Sequence, residues 1–237
     1  ADMDCTNYTT GPVLTIGADG ITFDGQGHRF IAPNAPMMIQ VGNHSNVTIQ
    51  NLNASGNSGM GISMAGGSGN VIKNVDLSWT GTGQSGTGIQ MGDSSSNTIS
   101  GVNASHRGVG AYLTGASGGN TFSGDDFSGC LWGVHQPDGT GQGNVYRGNN
   151  LSNAGAYALL ISGDKTPVIE GNDFTNAANG IWWRGVSGAS LSGLDLSAYK
   201  IPGTALQLNN ASNMTLSNLN LSWTGTGQSG TGIQMGD

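Results

Sequence analysis

An eight-residue phrase recurs along this chain at a spacing close to 24 residues, and few architectures can accommodate it. Apolar anchors stand at Ile49, Ile72, Ile99, Phe122, Tyr146, Ile169, Leu191 and Leu216. Two positions after each anchor comes Gly or Asn: Asn51, Asn74, Gly101, Gly124, Gly148, Gly171, Gly193 and Asn218. Four positions after comes Asn or Asp: Asn53, Asp76, Asn103, Asp126, Asn150, Asp173, Asp195 and Asn220. Six positions after comes a hydroxyl, from Ser55 to Ser222. A period in the low twenties with a short strand phrase in each unit marks a solenoid, because no unit buries its apolar face except against its neighbours. The expected fold class is all-β, with about nine coils of ~24 residues stacked into one rod.

The phrase specifies its own geometry. In Thr48–Ser55 the anchor points inward and its neighbours outward, as strand alternation requires. Gly or Asn two places on tolerates the left-handed conformation that a tight corner demands. Stacking then places the Asn/Asp side chains over one another, where they are expected to bond to each other and to turn backbone. A second strand is expected about 12 residues after each anchor, with inward residues Ile62, Ile89, Ala111, Val134, Ala158, Ile181, Ala205 and Ile233. In two coils a loop intervenes, Trp79 to Ser85 and Trp223 to Ser229. Those coils share an identical stretch, Leu77 to Asp93 and Leu221 to Asp237, offset by 144 residues. Fold pressure does not demand such identity, so it reads as recent duplication or design.

The domain reading is a lead-in over residues 1–16 and a solenoid over 17–237. The sequence shows no polar cap after the last coil, so a fragment of a longer helix or end-to-end self-association is expected. The 43 glycines suit many tight turns. A net charge of −7 with seven basic residues argues against nucleic acid, since nothing neutralises a run of phosphates. No apolar run is long enough for a transmembrane helix, so no membrane partner is expected. Cys5 and Cys130 are too few for a disulfide framework and are read as two unpaired thiols. The low-charge, Asn/Ser/Thr-rich surface fits a secreted or periplasmic protein.

Residues Gly17 to Phe30, with Ile21-Thr22-Phe23-Asp24-Gly25-Gln26-Gly27-His28 at their centre, resemble the opening coil of right-handed parallel β-helix proteins. Together with the repeated phrase the resemblance covers about residues 13–237 and extends to the pectate-lyase-like superfamily, including carbohydrate-processing and copper-accessory β-helix repeats. It implies right-handed coils with three sheets and, commonly, activity on polysaccharides. The same solenoid hosts lyases, hydrolases, epimerases and inert scaffolds, so the fold alone assigns no reaction.

The outward position after the second-strand anchor differs from the other columns. It reads Ser63, Gln90, Tyr112, His135, Leu159, Trp182, then Leu206 or Gln207, and Gln234. Aromatic faces beside polar groups suit sugar rings, whose C–H faces stack while hydroxyls take hydrogen bonds. Such rings also stabilise a sheet by cross-strand packing alone. Trp182, His106, Asp138 and Gln90 are the candidate substrate-binding residues. If the site is catalytic, abstraction of the proton beside a uronate carboxyl fits best, as in a polyuronate lyase or C5-epimerase. His135 is then the candidate base and Tyr112 the acid, with Arg184 or Arg107 neutralising the carboxylate.

A hydrolase needs two converging carboxylates, and the sequence offers Asp125 with Asp126, of which Asp126 already belongs to the Asn/Asp column. No cofactor is expected, calcium between Asp126 and Asp173 being the alternative. A non-catalytic scaffold or binding module is the competing class. An acidic polysaccharide is the expected partner.

Overall fold

The computed structural model describes residues 1–137, 139, 141–197, 203–222 and 230–236. All regular elements among them are strands, paired in parallel. One sheet holds the anchors. Its strands are Thr22–Asp24, Thr48–Asn53, Val71–Asp76, Thr98–Ser100, Thr121–Ser123, Val145–Arg147 and Val168–Glu170. Phe23, Ile49, Ile72, Ile99, Phe122, Tyr146 and Ile169 lie in one row across it. Ser190–Ser192 and Thr215–Ser217 form a further pair, with Leu191 beside Leu216.

A second sheet of ten strands runs the length of the rod, from Pro12–Thr15 through Arg107–Thr114, Trp132–Gln136, Tyr157–Ser162 and Ile181–Arg184 to Thr231–Gly236. Its first strand lies inside the segment read as lead-in. A third row consists of single-residue bridges along the Asn/Asp column, such as Asp76 to Asn103 and Asn103 to Asp126.

The corners follow the phrase. At all eight Gly/Asn positions φ is positive, between 51° and 71°. At all eight Asn/Asp positions Oδ1 accepts the N–H two residues on, at 2.8–3.1 Å. That local turn competes with stacking for the same oxygen and wins, because its partner is two residues away and already oriented. The expected bonds along the column give way accordingly, with Asn53 Nδ2 reaching Asp76 Oδ2 only at 3.4 Å.

Side-chain stacks form elsewhere, inside the rod. Buried Asn70, Asn97, Asn120 and Asn144 each accept a backbone N–H from the preceding coil at 2.8–3.0 Å. A shorter stack, Asp125, Asn149 and Asn172, repeats the pattern at 2.8–2.9 Å.

The ten-stranded sheet departs from strict alternation, because two consecutive residues face inward in each strand. The first is small from the third strand to the ninth, at Gly61, Gly88, Gly110, Gly133, Ala158, Gly180 or Ala205, whereas the second strand has Met38 there. A Cβ at Gly110 would stand 2.5 Å from the Gly133 carbonyl oxygen and 2.6 Å from Phe127 Cδ1, so the close approach of coils depends on a small residue there. The second is the true anchor. Register places it at Ile62, Ile89, Ala111, Val134, Leu159, Ile181, Leu206 and Ile233, which corrects the expected Ala158 and Ala205 by one residue each.

Candidate functional site

The corrected register fixes the outward row as Ser63, Gln90, Tyr112, His135, Leu160, Trp182, Gln207 and Gln234. A second outward row precedes the small inward residue of each strand, and it carries Val109, Trp132 and Tyr157 on consecutive coils. The two rows merge. His135 stacks on Trp132 at 4.5 Å between ring centroids with planes 11° apart, and Trp132 stacks on Tyr157 at 5.6 Å and 20°. Tyr112 tilts against His135 at 5.3 Å, and Tyr157 against Trp182 at 5.2 Å. The result is an unbroken run of five rings across four coils: Tyr112, His135, Trp132, Tyr157, Trp182.

Polar groups edge the run. The Tyr157 hydroxyl bonds Gln207 Oε1, and burial raises its pKa above the ordinary phenol value. Trp182 Nε1 donates to Asn209 Oδ1 at 2.8 Å, and Gln207 Nε2 donates to the same oxygen at 3.0 Å. Arg184 lies over the Trp182 ring, 5.2 Å from its centroid, and reaches back along the rod to donate to the Pro137 carbonyl. Leu160 sits among the rings in the same row and is only 2% exposed. The rings are half-buried. This is an aromatic strip about four coils long, ~15–20 Å, with a guanidinium over its last ring and two amides on the coil beyond.

The family profile described as a right handed beta helix region matches residues 38–193 and 132–237. The chain belongs to the right-handed β-helix family. Among solved structures, this β-helix is similar to the mannuronan C-5 epimerase AlgE4 A-module of Azotobacter vinelandii, with a TM-score of 0.51 and 8% identity over 92% of this chain and 78% of that one. It is also similar to the Dettilon tailspike protein, with a TM-score of 0.50 and 14% identity over 96% of this chain and 60% of that one. At such identities the likeness is one of fold. No curated protein matches the chain.

The β-helix brings together Gln90, Tyr112, His135, Trp182 and Arg184 on one face, as the sequence predicts. Trp132 and Tyr157 are the site residues that sequence reasoning missed. Asp138 lies outside the described residues. His106 does not join them. It occupies a left-handed corner (φ 60°) ahead of the strand, with its ring against Gly129, and stands six residues, ~20 Å of strand, from Tyr112.

Arg107 requires a larger correction. Its side chain points into the rod and is fully buried, so it faces no ligand. Nε donates to the Leu77 carbonyl at 2.6 Å, and Nη1 donates to those of Asn57 and Gly59 at 2.7 and 2.9 Å. Burial draws its pKa down to about 10, which leaves it a cation at neutral pH. Arg107 thus ties its own coil to the two before it, beside the inserted loop that starts at Trp79.

The paired carboxylates do not converge. Asp126 accepts from Ser128 in its turn, whereas Asp125 is buried within the rod, so no hydrolytic pair forms. Among the described residues no three His, Cys, Asp or Glu side chains gather as metal ligands. Cys5 and Cys130 are both free thiols, and burial pushes that of Cys130 up to about 12. Arg147 and Glu170 pair at 2.9 Å on the exposed face, where such bridges contribute little.

Proposed function

We propose that this β-helix binds an acidic polysaccharide on the face formed by Tyr112, His135, Trp132, Tyr157 and Trp182. The observation that carries this reading is the unbroken run of five half-exposed rings, which offers successive sugar units an aromatic strip, with Arg184 over Trp182 and with Gln207 and Asn209 on the coil that follows Trp182 to bond hydroxyls and a carboxylate. Cross-strand packing alone accounts for neighbouring ring pairs. To such packing this face adds the cationic Arg184 over Trp182 and the amides of Gln207 and Asn209 on the next coil.

The fold is shared with a protein named as a mannuronan epimerase and with one named as a tailspike, which supports a carbohydrate-related role. No helix among the described residues is long and apolar enough to cross a membrane, and a secreted or periplasmic location suits such a ligand.

Affinity electrophoresis in gels containing alginate, pectate or a neutral glucan tests the reading. Retardation is expected in at least one acidic gel. Trp132→Ala and Trp182→Ala should each weaken it about 10–30-fold, the range for a central aromatic anchor. Unchanged retardation in both variants, or none in any gel, rules the platform out.

Tyr112 beside His135, with Arg184 on the same face, supports a narrower reading as a polyuronate lyase or C5-epimerase. His135 would take the C5 proton, Tyr112 would serve as acid and Arg184 would neutralise the carboxylate. Turnover should appear as unsaturated-uronate absorbance or as C5 proton exchange. Tyr112→Phe should abolish that signal while retardation persists, and His135→Ala should abolish it while also weakening retardation, since it removes one ring of the run. Binding without either signal leaves a non-catalytic binding module.

A further inference from the structure

Asp125 stands where the next two coils carry asparagines. Asn149 and Asn172 each use both amide atoms: Oδ1 accepts a backbone N–H from the preceding coil, and Nδ2 donates back to an anchor carbonyl there. Asn149 Nδ2 bonds the Phe122 carbonyl at 3.1 Å, and Asn172 Nδ2 bonds that of Tyr146 at 2.9 Å. Asp125 Oδ1 keeps the first of these roles, accepting from Val102 at 2.8 Å. Its Oδ2 occupies the donor's place, facing the Ile99 carbonyl by the same register, and has no partner among the described residues. Asp125 is 1% exposed. An ionised carboxylate there would set two acceptors against each other in a dry interior, whereas a protonated one would restore the missing donor.

No charge on the surrounding elements offsets ionisation. Thr98–Ser100 and Thr121–Ser123 contain no titratable residue, and the equivalent positions on the flanking coils are Val102 and Asn149. Asp126 turns its carboxylate to Ser128, and Arg147 points outward to Glu170. The Tyr146 hydroxyl bonds Gln136 Oε1.

We propose that the folded chain carries Asp125 as a neutral carboxylic acid donating to the Ile99 carbonyl, and that its ionisation loosens the coil on which Trp132 and His135 stand. The protein thereby holds a pH-sensitive element in its interior. Burial raises this carboxyl from an ordinary 3.8 to about 7, outweighing the backbone N–H groups of Val102 and Ser123, which favour the ionised form. The folded state then binds the proton more tightly than the unfolded chain does. The stabilisation is complete below about 3.8, declines as pH rises, and is gone above about 7.

The test compares wild type with Asp125→Asn in thermal unfolding from pH 4 to pH 9. Other carboxylates titrate equally in both proteins, so the difference isolates Asp125. Wild-type Tm should fall relative to the variant by roughly 5–10 °C between pH 4 and pH 7 and stay level above it. A difference constant across the range overturns the proposal. Infrared spectroscopy of the wild type provides a second measurement independent of any variant's folding. A carboxylic-acid C=O band should persist at pH 6, where exposed carboxylates are ionised, and its absence overturns the proposal as well.

Discussion

Arg107→Ala is expected to destabilise the protein by about 3–5 kcal/mol and to lower Tm by roughly 10 °C. The value of the wild-type interaction is much smaller than this, because burying a guanidinium is itself costly. Truncation is severe for what it leaves behind. The carbonyls of Leu77, Asn57 and Gly59 lie on the two coils before that of Arg107, and all three take Arg107 as donor. Without it those of Leu77 and Asn57 are buried acceptors lacking their partner, at ~1–3 kcal/mol apiece, that of Gly59 is a part-buried one, and the emptied volume adds a cavity cost.

The damage should be local at first, since a solenoid coil contacts only its neighbours. Ser85 Oγ bonds the Ser58 carbonyl at 2.9 Å, holding the end of the inserted loop against the first of the coils that Arg107 joins, and Gln84 bonds the Gly129 carbonyl at 2.8 Å on the coil beyond Arg107. Proteolysis between Trp79 and Ser85 should therefore appear in Arg107→Ala before global unfolding. Arg107→Met, which refills most of the volume and restores no donor, should recover only a minority of the loss. Full recovery by Met would show that packing, not carbonyl satisfaction, is what Arg107 supplies.

The parts of this architecture that were legible in the sequence are those written within one phrase. At the Gly/Asn corner chemistry and geometry are visible together, and all eight copies adopt the expected left-handed form, whereas the Asn/Asp column, expected to stack, spends its oxygens on the N–H two residues on. Arg107 was misread because its partners lie 30 to 50 residues upstream and nothing local marks it. Arginine beside an exposed histidine also reads as surface.

The face register slipped at Ala158-Leu159-Leu160-Ile161 for a different reason. Four consecutive apolar residues hide the small-then-large inward pair that breaks alternation, and only pairing with Val134 and Ile181 selects Leu159 as anchor. The same irregularity concealed Trp132 and Tyr157, which face outward two residues before the anchors Val134 and Leu159 rather than one residue after them. Aligning Gly133 with Ala158 and Gly180 as one small column would have exposed both.

Phe127→Ala is the second substitution expected to cost about 3–5 kcal/mol. Phe127 is fully buried and belongs to the inward column Ala54, Leu77, Ala104, Phe127, Leu151, Phe174. Two alanines already occupy that column, so the cost depends on who fills the space above them. Ala104 lies between Leu77 and Phe127, with its Cβ 2.5 Å from the point a Cβ on Gly88 would reach, which shows how closely that coil is drawn in. Phe127 fills the next level. Its ring abuts the bare Cα of Gly110 and meets Phe122 edge-on at 6.3 Å, and Phe122 stacks on Tyr146 at 5.6 Å.

Truncation would set two alanines on adjacent coils with nothing large enough between Leu77 and Leu151. The backbone cannot close the gap, because coil spacing is fixed by parallel pairing at ~4.8 Å. Phe127→Leu should cost much less, since Leu77 and Leu151 show that the column accepts leucine. Urea unfolding followed by tryptophan fluorescence measures both variants. A loss below ~1 kcal/mol for Phe127→Ala would mean that the rod can collapse around a missing ring, and the rigid stacking of coils on which both this prediction and the ring platform depend would have to be abandoned.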